Sequence, residues 1–448
     1  MLCFLGFAGH AFGEAPRLAV ATFNIDATPP MGAPLCDALC QPASAVDDPL
    51  SARGIILLPA EQQPIVLVAV DWVGVGNEGQ DAWRQAIAAA AGTTVDRVAI
   101  HALHQHDAPG CDFAADRLAA EYGLGGKLFD VEFARETIAR AATAVSAAIN
   151  EPQAITHLGA GVGLVEHVAS TRRCLGPDGK VKWIRYTACT DPEAIAQPEG
   201  IIDPHARAVG FWAGDKPVVV LTYYATHPQS YYGKGRVSAD FPGLARTQRE
   251  AELAGLLHIH FNGAGGNIGA GKYNDGSPEN RPILAGRLAA GMAKAWDAID
   301  RFPLDDATLQ WDTRDVALPP GKHLDEASLL SLIQDKQAPI VDRLQAVRDL
   351  TFLRRCEAGG KITVSRLRIG AVDLLHLPGE LFVEYQLAAQ AMRPESIVCT
   401  AAYGDYGCGY IGLHDSYAQG GYETSERASL VAPSVEGVLM TAITELMK

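Results

Sequence analysis

Apolar and polar positions along this chain follow two periods. Three stretches, GIILLPAEQQPIVLVAVD at 54–71, AVGFWAGDKPVVVLTYYATH at 208–227 and SRLRIGAVDLLHLPGE at 365–380, each set two apolar runs about a short polar turn. Each predicts a β-hairpin. The second run ends in each case on a polar residue: Asp71, His227 or Glu380. If the three hairpins lie in related sheets, these residues occupy equivalent strand ends and are in position to converge on one site.

Between the hairpins the period lengthens to that of a helix. Over 130–150 the residues Phe133, Ile138, Ala141 and Val145 mark one face, and 280–299 behaves similarly. Further helices are predicted over 77–91, 241–255, 324–334, 338–357, 380–392 and 434–447. Strands alternating with helices, but joined largely through hairpins, predict an α/β fold with mixed β-sheets packed between helices. No Pro/Ser-rich linker divides the chain, so residues 16–448 are expected to form one domain.

Composition narrows the function. Hydrophobic residues make up 48% of the 448 positions, enough for a sizeable core, and the formal charge of -15 opposes nucleic acid and anionic membrane surfaces. No run of 18 apolar residues is present, so no spanning helix is expected. MLCFLGFAGHAFGEAP at the start is apolar, with small residues at Ala11 and Gly13, and resembles the end of a signal peptide without its basic region. Residues 1–15 are therefore read as a leader, and the protein as exported to the periplasm or beyond. Removing Cys3 with the leader leaves eight cysteines. In an oxidising compartment Cys36 with Cys40, and Cys174 with Cys189, would form local disulfides, with buried free thiols as the alternative.

HALHQHDAPG at 101–110 holds three histidines in six positions. If the strand VAI before it continues, His104 and His106 point one way and His101 the other. Two imidazoles on one face begin a zinc site. The pair His258 and His260 shows the same spacing, so the motif alone is not decisive. His227, in ATHPQS, lies where Pro228 stops a strand, and Glu380 in LPGE follows a Pro-Gly turn at an expected helix start. Either could be structural. FNGAGGNIGAGKYNDG at 261–276 is glycine-rich, suited to close backbone approach to a ligand, but matches neither the dinucleotide nor the phosphate-loop fingerprint. There is no GxSxG elbow and no HExxH helix.

In order, HALHQHDAPG, VASTRR, IIDPHARAVGF, ATHPQS with VSADFPG, NGAGGNIG, LPGE and YGCGYIGLHDSYAQGGYE resemble the catalytic domain of neutral/alkaline, non-lysosomal ceramidases over roughly residues 20–445. The resemblance implies that family's mixed α/β fold and one Zn2+ held by His104, His227, Glu380 and Tyr410. Tyr417, Tyr422 and Glu423 stand in the family's register after that tyrosine. It implies a proton-transfer role for His106 and site roles for Arg172 and Tyr422, with Gly266, Asn267 and Gly269 in the substrate loop. Two departures limit it. Gly269 stands where the family carries a serine, with Asn267 in place of its aspartate, and the resemblance includes no C-terminal immunoglobulin-like domain. Ceramide is therefore not carried over as the substrate.

The expected function is an exported zinc-dependent hydrolase that cleaves an amide or ester of a small-molecule or lipid-like substrate. Zinc chemistry on a carbohydrate-derived or other polar substrate, and a non-catalytic metal- or ligand-binding protein, are the alternatives.

Overall fold

A computed structural model describes residues 18–304 and 309–448, and the expected leader lies outside the described residues. The three predicted hairpins form. Ser51–Pro59 pairs with Ile65–Val70, His205–Ala213 with Lys216–Tyr224, and Ile362–Ile369 with Val372–His376, all antiparallel. The first strand of each gains an antiparallel neighbour: Leu18–Asp26, His157–Leu164 or Leu309–Val316. The second strand of each gains a parallel one: Val98–Ala102, His258–Asn262 or Ile397–Ala401. A helix makes each parallel crossover, over Glu78–Ala91, Asp240–Glu252 and Val383–Met392. Parallel pairing demands such a crossover because the chain must return to the same end of the sheet. One four-strand unit thus recurs three times.

Burial explains why the second strands read as continuous apolar runs. Ile65, Leu67 and Ala69 of the first sheet share one cluster with Val219, Leu221 and Tyr223 of the second and Val372 and Leu374 of the third. The inner faces of the three sheets therefore meet. Val66, Val68 and Val70 point the other way, onto Trp83, Ile87, Phe133 and Ile138 of the covering helices. Phe241, Leu284 and Leu288 cover the second sheet. A strand buried on both faces has no polar face to alternate with, and each buried valine or leucine contributes about 1.5–3 kcal/mol.

Three expectations need correction. The helix predicted over 380–392 starts at Val383, and Glu380–Leu381 instead forms a two-residue parallel pair with Tyr410–Ile411. The strand before HALHQHDAPG ends at Ala102, short of His104. The expected disulfides are absent: all eight described cysteines are free thiols. Cys40 Sγ faces the His106 carbonyl at 3.6 Å and Cys189 Sγ the Asp191 carbonyl at 3.8 Å, so each thiol has another partner.

Candidate metal centre

His104 follows Val98–Ala102, an edge strand, whereas His227 follows Lys216–Tyr224 and Glu380 follows Val372–His376, both inside their sheets, and all three lie just beyond a strand's carboxyl end. Chain direction past Ala102 decides the first. His104 has a left-handed backbone (φ 71) and donates its N–H to the Trp72 carbonyl at 2.8 Å. That reversal, not strand alternation, brings the His104 and His106 rings to 5.1 Å. His101 stays on the strand, its Nδ1 2.8 Å from the Ala402 carbonyl and its Nε2 3.0 Å from His376, away from the other two as expected.

The two histidines are held alike. His104 Nδ1 lies 2.6 Å from the Val73 carbonyl and His227 Nδ1 2.8 Å from the Gly265 carbonyl. A carbonyl only accepts, so each Nδ1 carries the proton and each Nε2 presents a lone pair. Both Nε2 atoms face Glu380 Oε2, at 3.1 Å from His104 and 3.2 Å from His227. Tyr410 Oη is 3.1 Å from His227 Nε2, placed there by the Glu380 to Tyr410 pairing. All four side chains are buried.

Electrostatics sharpen the fit to a cation. Burial lowers His227 to about 4, so its ring is neutral near pH 7. The result is a carboxylate oxygen against two imidazole lone pairs, and neither His104 Nε2 nor Glu380 Oε2 has a hydrogen-bond partner. Such a cluster of acceptors is costly unless a cation sits among them. Two nitrogens and two oxygens are a donor set zinc accepts. His106 is a further imidazole within reach, since the nitrogens of His104, His106 and His227 lie within 4.8 Å of one another.

Around this centre, Arg172 is fixed by the Ser170–Thr171 pairing with Ile268–Gly269. Its Nη1 donates to Tyr410 Oη at 3.0 Å and its Nε lies 3.0 Å from Glu423 Oε1. Tyr422 packs 5.8 Å from Tyr410. Gly266 brings the loop onto Glu380, where a Cβ would stand 2.3 Å from the Glu380 carbonyl. Gly269 is open by comparison, with His227 Cβ at 3.4 Å and Arg172 Cγ at 3.6 Å from a Cβ built there. Asn267 turns away from the centre: its Oδ1 accepts from Val383 N at 2.9 Å and its Nδ2 donates to Glu384 at 2.8 Å.

Of the three strand-end residues, Asp71 does not join. Arg246 holds it through two hydrogen bonds of 2.8 and 2.7 Å. His258 and His260 bind Leu256 and Thr222 instead. Glu423, named in the sequence only for its register and given no role, pairs with both Arg172 and Arg173, and the sequence reading missed Tyr406, whose Oη donates to Glu380 Oε1 at 3.3 Å. A carboxylate whose partners lie some 250 positions away leaves no local signal.

No protein-family model matches the sequence, and no curated protein does. Solved structures do. The chain superposes on a ceramidase complexed with C2 with a TM-score of 0.68 at 17% identity, covering 97% of this chain and 75% of that one. On neutral ceramidase from Pseudomonas aeruginosa the TM-score is 0.67, again at 17% identity, covering 97% and 74%. At this identity the similarity establishes the fold.

Proposed function

We propose, starting from a fold that is that of neutral ceramidase, that this protein is a zinc-dependent hydrolase of amides or esters. The observation that carries the proposal is the meeting of His104 Nε2, His227 Nε2 and Glu380 Oε2 at 3.1–3.2 Å with both Nδ1 protons committed elsewhere. With Tyr410 these residues would hold the ion. Zinc, when bound, supplies a Lewis acid that acidifies water towards a pKa of about 7 and polarises an acyl carbonyl.

The chain's own residues do the rest. His106 is half-buried and its Nδ1 has no hydrogen-bond partner. From there it can pass a proton to the departing amine or alcohol. Arg172, kept rigid by Glu423, and Tyr422 beside Tyr410 supply donors for charge building on the carbonyl oxygen. Burial of His104, His227, Glu380 and Tyr410 keeps bulk water off the ligand side.

A leader-like start supports export to the periplasm or beyond, and a core cluster running from Ala21 to Met447 supports one domain over 16–448. Ring faces favour a second reading of the substrate as polar and ring-bearing, including carbohydrate-derived acyl compounds. Tyr232 packs 4.4 Å from His106 while 42% exposed, and Tyr186, 46% exposed, lies by Arg172. Purified protein is expected to carry one zinc per chain and to lose it in His104→Ala and His227→Ala. Metal-dependent cleavage should appear when mixed N-acyl amides, lipid esters and acylated amino sugars are screened by mass spectrometry. Absence of stoichiometric metal in the parent protein would sink the proposal.

A further inference from the structure

Glu380 has two carboxylate oxygens, and only one of them faces the histidines. Oε2 lies against both Nε2 atoms, whereas Oε1 accepts the Tyr406 hydroxyl at 3.3 Å. Tyr406 is itself clamped. Its ring packs 5.4 Å from that of His104, and a Cβ on Gly74 would lie 2.2 Å from it, so the strand segment Gly74–Val75 closes directly on its face. The Arg348 guanidinium sits 5.4 Å from the ring centroid, and Asp37 lies 3.4 Å from that guanidinium. This matches, on the other side of the centre, the chain of Glu423, Arg172 and Tyr410. A carboxylate, an arginine and a tyrosine thus stand in that order on each flank.

We infer that Tyr406, backed by Arg348 and Asp37, is the positioning residue for Glu380: it occupies Oε1 so that the carboxylate meets a metal through Oε2 alone. The inference rests on the proposed metal centre. A free carboxylate beside a divalent ion can bind through one oxygen or both, and coordination number changes with that choice. A hydroxyl donor on Oε1 removes the second option. Arg348 over the ring draws electron density from the phenol and strengthens that donor.

Two readouts independent of turnover test this. In Tyr406→Phe, which keeps the ring, the zinc dissociation constant measured by chelator competition should rise about 10- to 100-fold. The visible absorption of the cobalt-substituted protein should weaken as the freed Oε1 joins the ion and coordination rises. Arg348→Gln, which leaves the tyrosine in place, should shift both readouts the same way by a smaller factor. Tyr122→Phe, at the end of the helix Phe113–Glu121 and making no hydrogen bond or ring contact with these residues, should change neither. Zinc affinity within twofold of the parent together with an unchanged cobalt spectrum in Tyr406→Phe would overturn the inference, as would an equal change in Tyr122→Phe. Failure of the parent protein to bind either metal would instead overturn the metal centre itself.

Discussion

Single residues show how little freedom the centre has. Gly266 and Gly269 lie three apart in one loop, yet tolerate opposite changes. A Cβ at 266 would meet the Glu380 carbonyl, a backbone atom that cannot turn aside, at 2.3 Å. Gly266→Ala should therefore cost about 1–3 kcal/mol and displace Glu380, read as a lower unfolding midpoint together with lost zinc. At 269 the nearest atoms are 3.4 and 3.6 Å away, in ordinary contact. Gly269→Ser should leave stability within about 1 kcal/mol and metal content unchanged. The HxH and THP motifs alone do not decide between ligand and structural roles, and His104 and His227 are named together only through the family resemblance. The fate of Asp71 was not legible either: the same position in the first hairpin is held by Arg246, and no local feature separates an ion-paired carboxylate from a ligand.

Elements place these residues with few bonds. Glu380–Leu381 with Tyr410–Ile411, and Ser170–Thr171 with Ile268–Gly269, are pairs of two residues each, too short to leave a period in the sequence. The helix expected to begin at Glu380 begins instead at Val383, and Asn267 supplies the acceptor for its first N–H. Asn267→Ala should cost about 1–2 kcal/mol by removing that acceptor and the Glu384 contact, with a lower thermal midpoint. Zinc binding should fall less than in Gly266→Ala, because Glu380 keeps its pairing with Tyr410. The hairpins themselves were legible from alternating and continuous apolar runs. The reversal at His104 was not, because a left-handed histidine is a consequence of the Trp72 and Val73 carbonyls it must reach.

At the scale of the molecule, three sheets sharing one inner core bury titratable groups besides the proposed ligands. Burial lowers His101 and His258 to about 4 and His260 to about 3, and drives His376 well below 6.5. An unfolded chain takes up these protons near pH 6.5 and the folded one does not, so their contribution is present above that value and is lost as pH falls towards 4. Asp107, Asp112 and Asp349, raised by burial to about 6, work the other way between about 6 and 3.8. Burial also lowers His106 and His227 and raises Asp48, Asp81, Asp240 and Glu384 by less, so the histidines outweigh the carboxylates. The thermal midpoint of the metal-free protein should therefore fall as pH is lowered from 7 to 5, by an amount on the order of a few kcal/mol in stability. Sequence by itself determined the element types, the mixed α/β class and the placing of polar residues at the ends of three hairpins, since each depends on period and turn chemistry within a few positions. Only the tertiary structure decided which of those residues meet. Glu380 faces His104 and His227, and Asp71 faces Arg246, because sheets built from segments over a hundred positions apart pack on a common core.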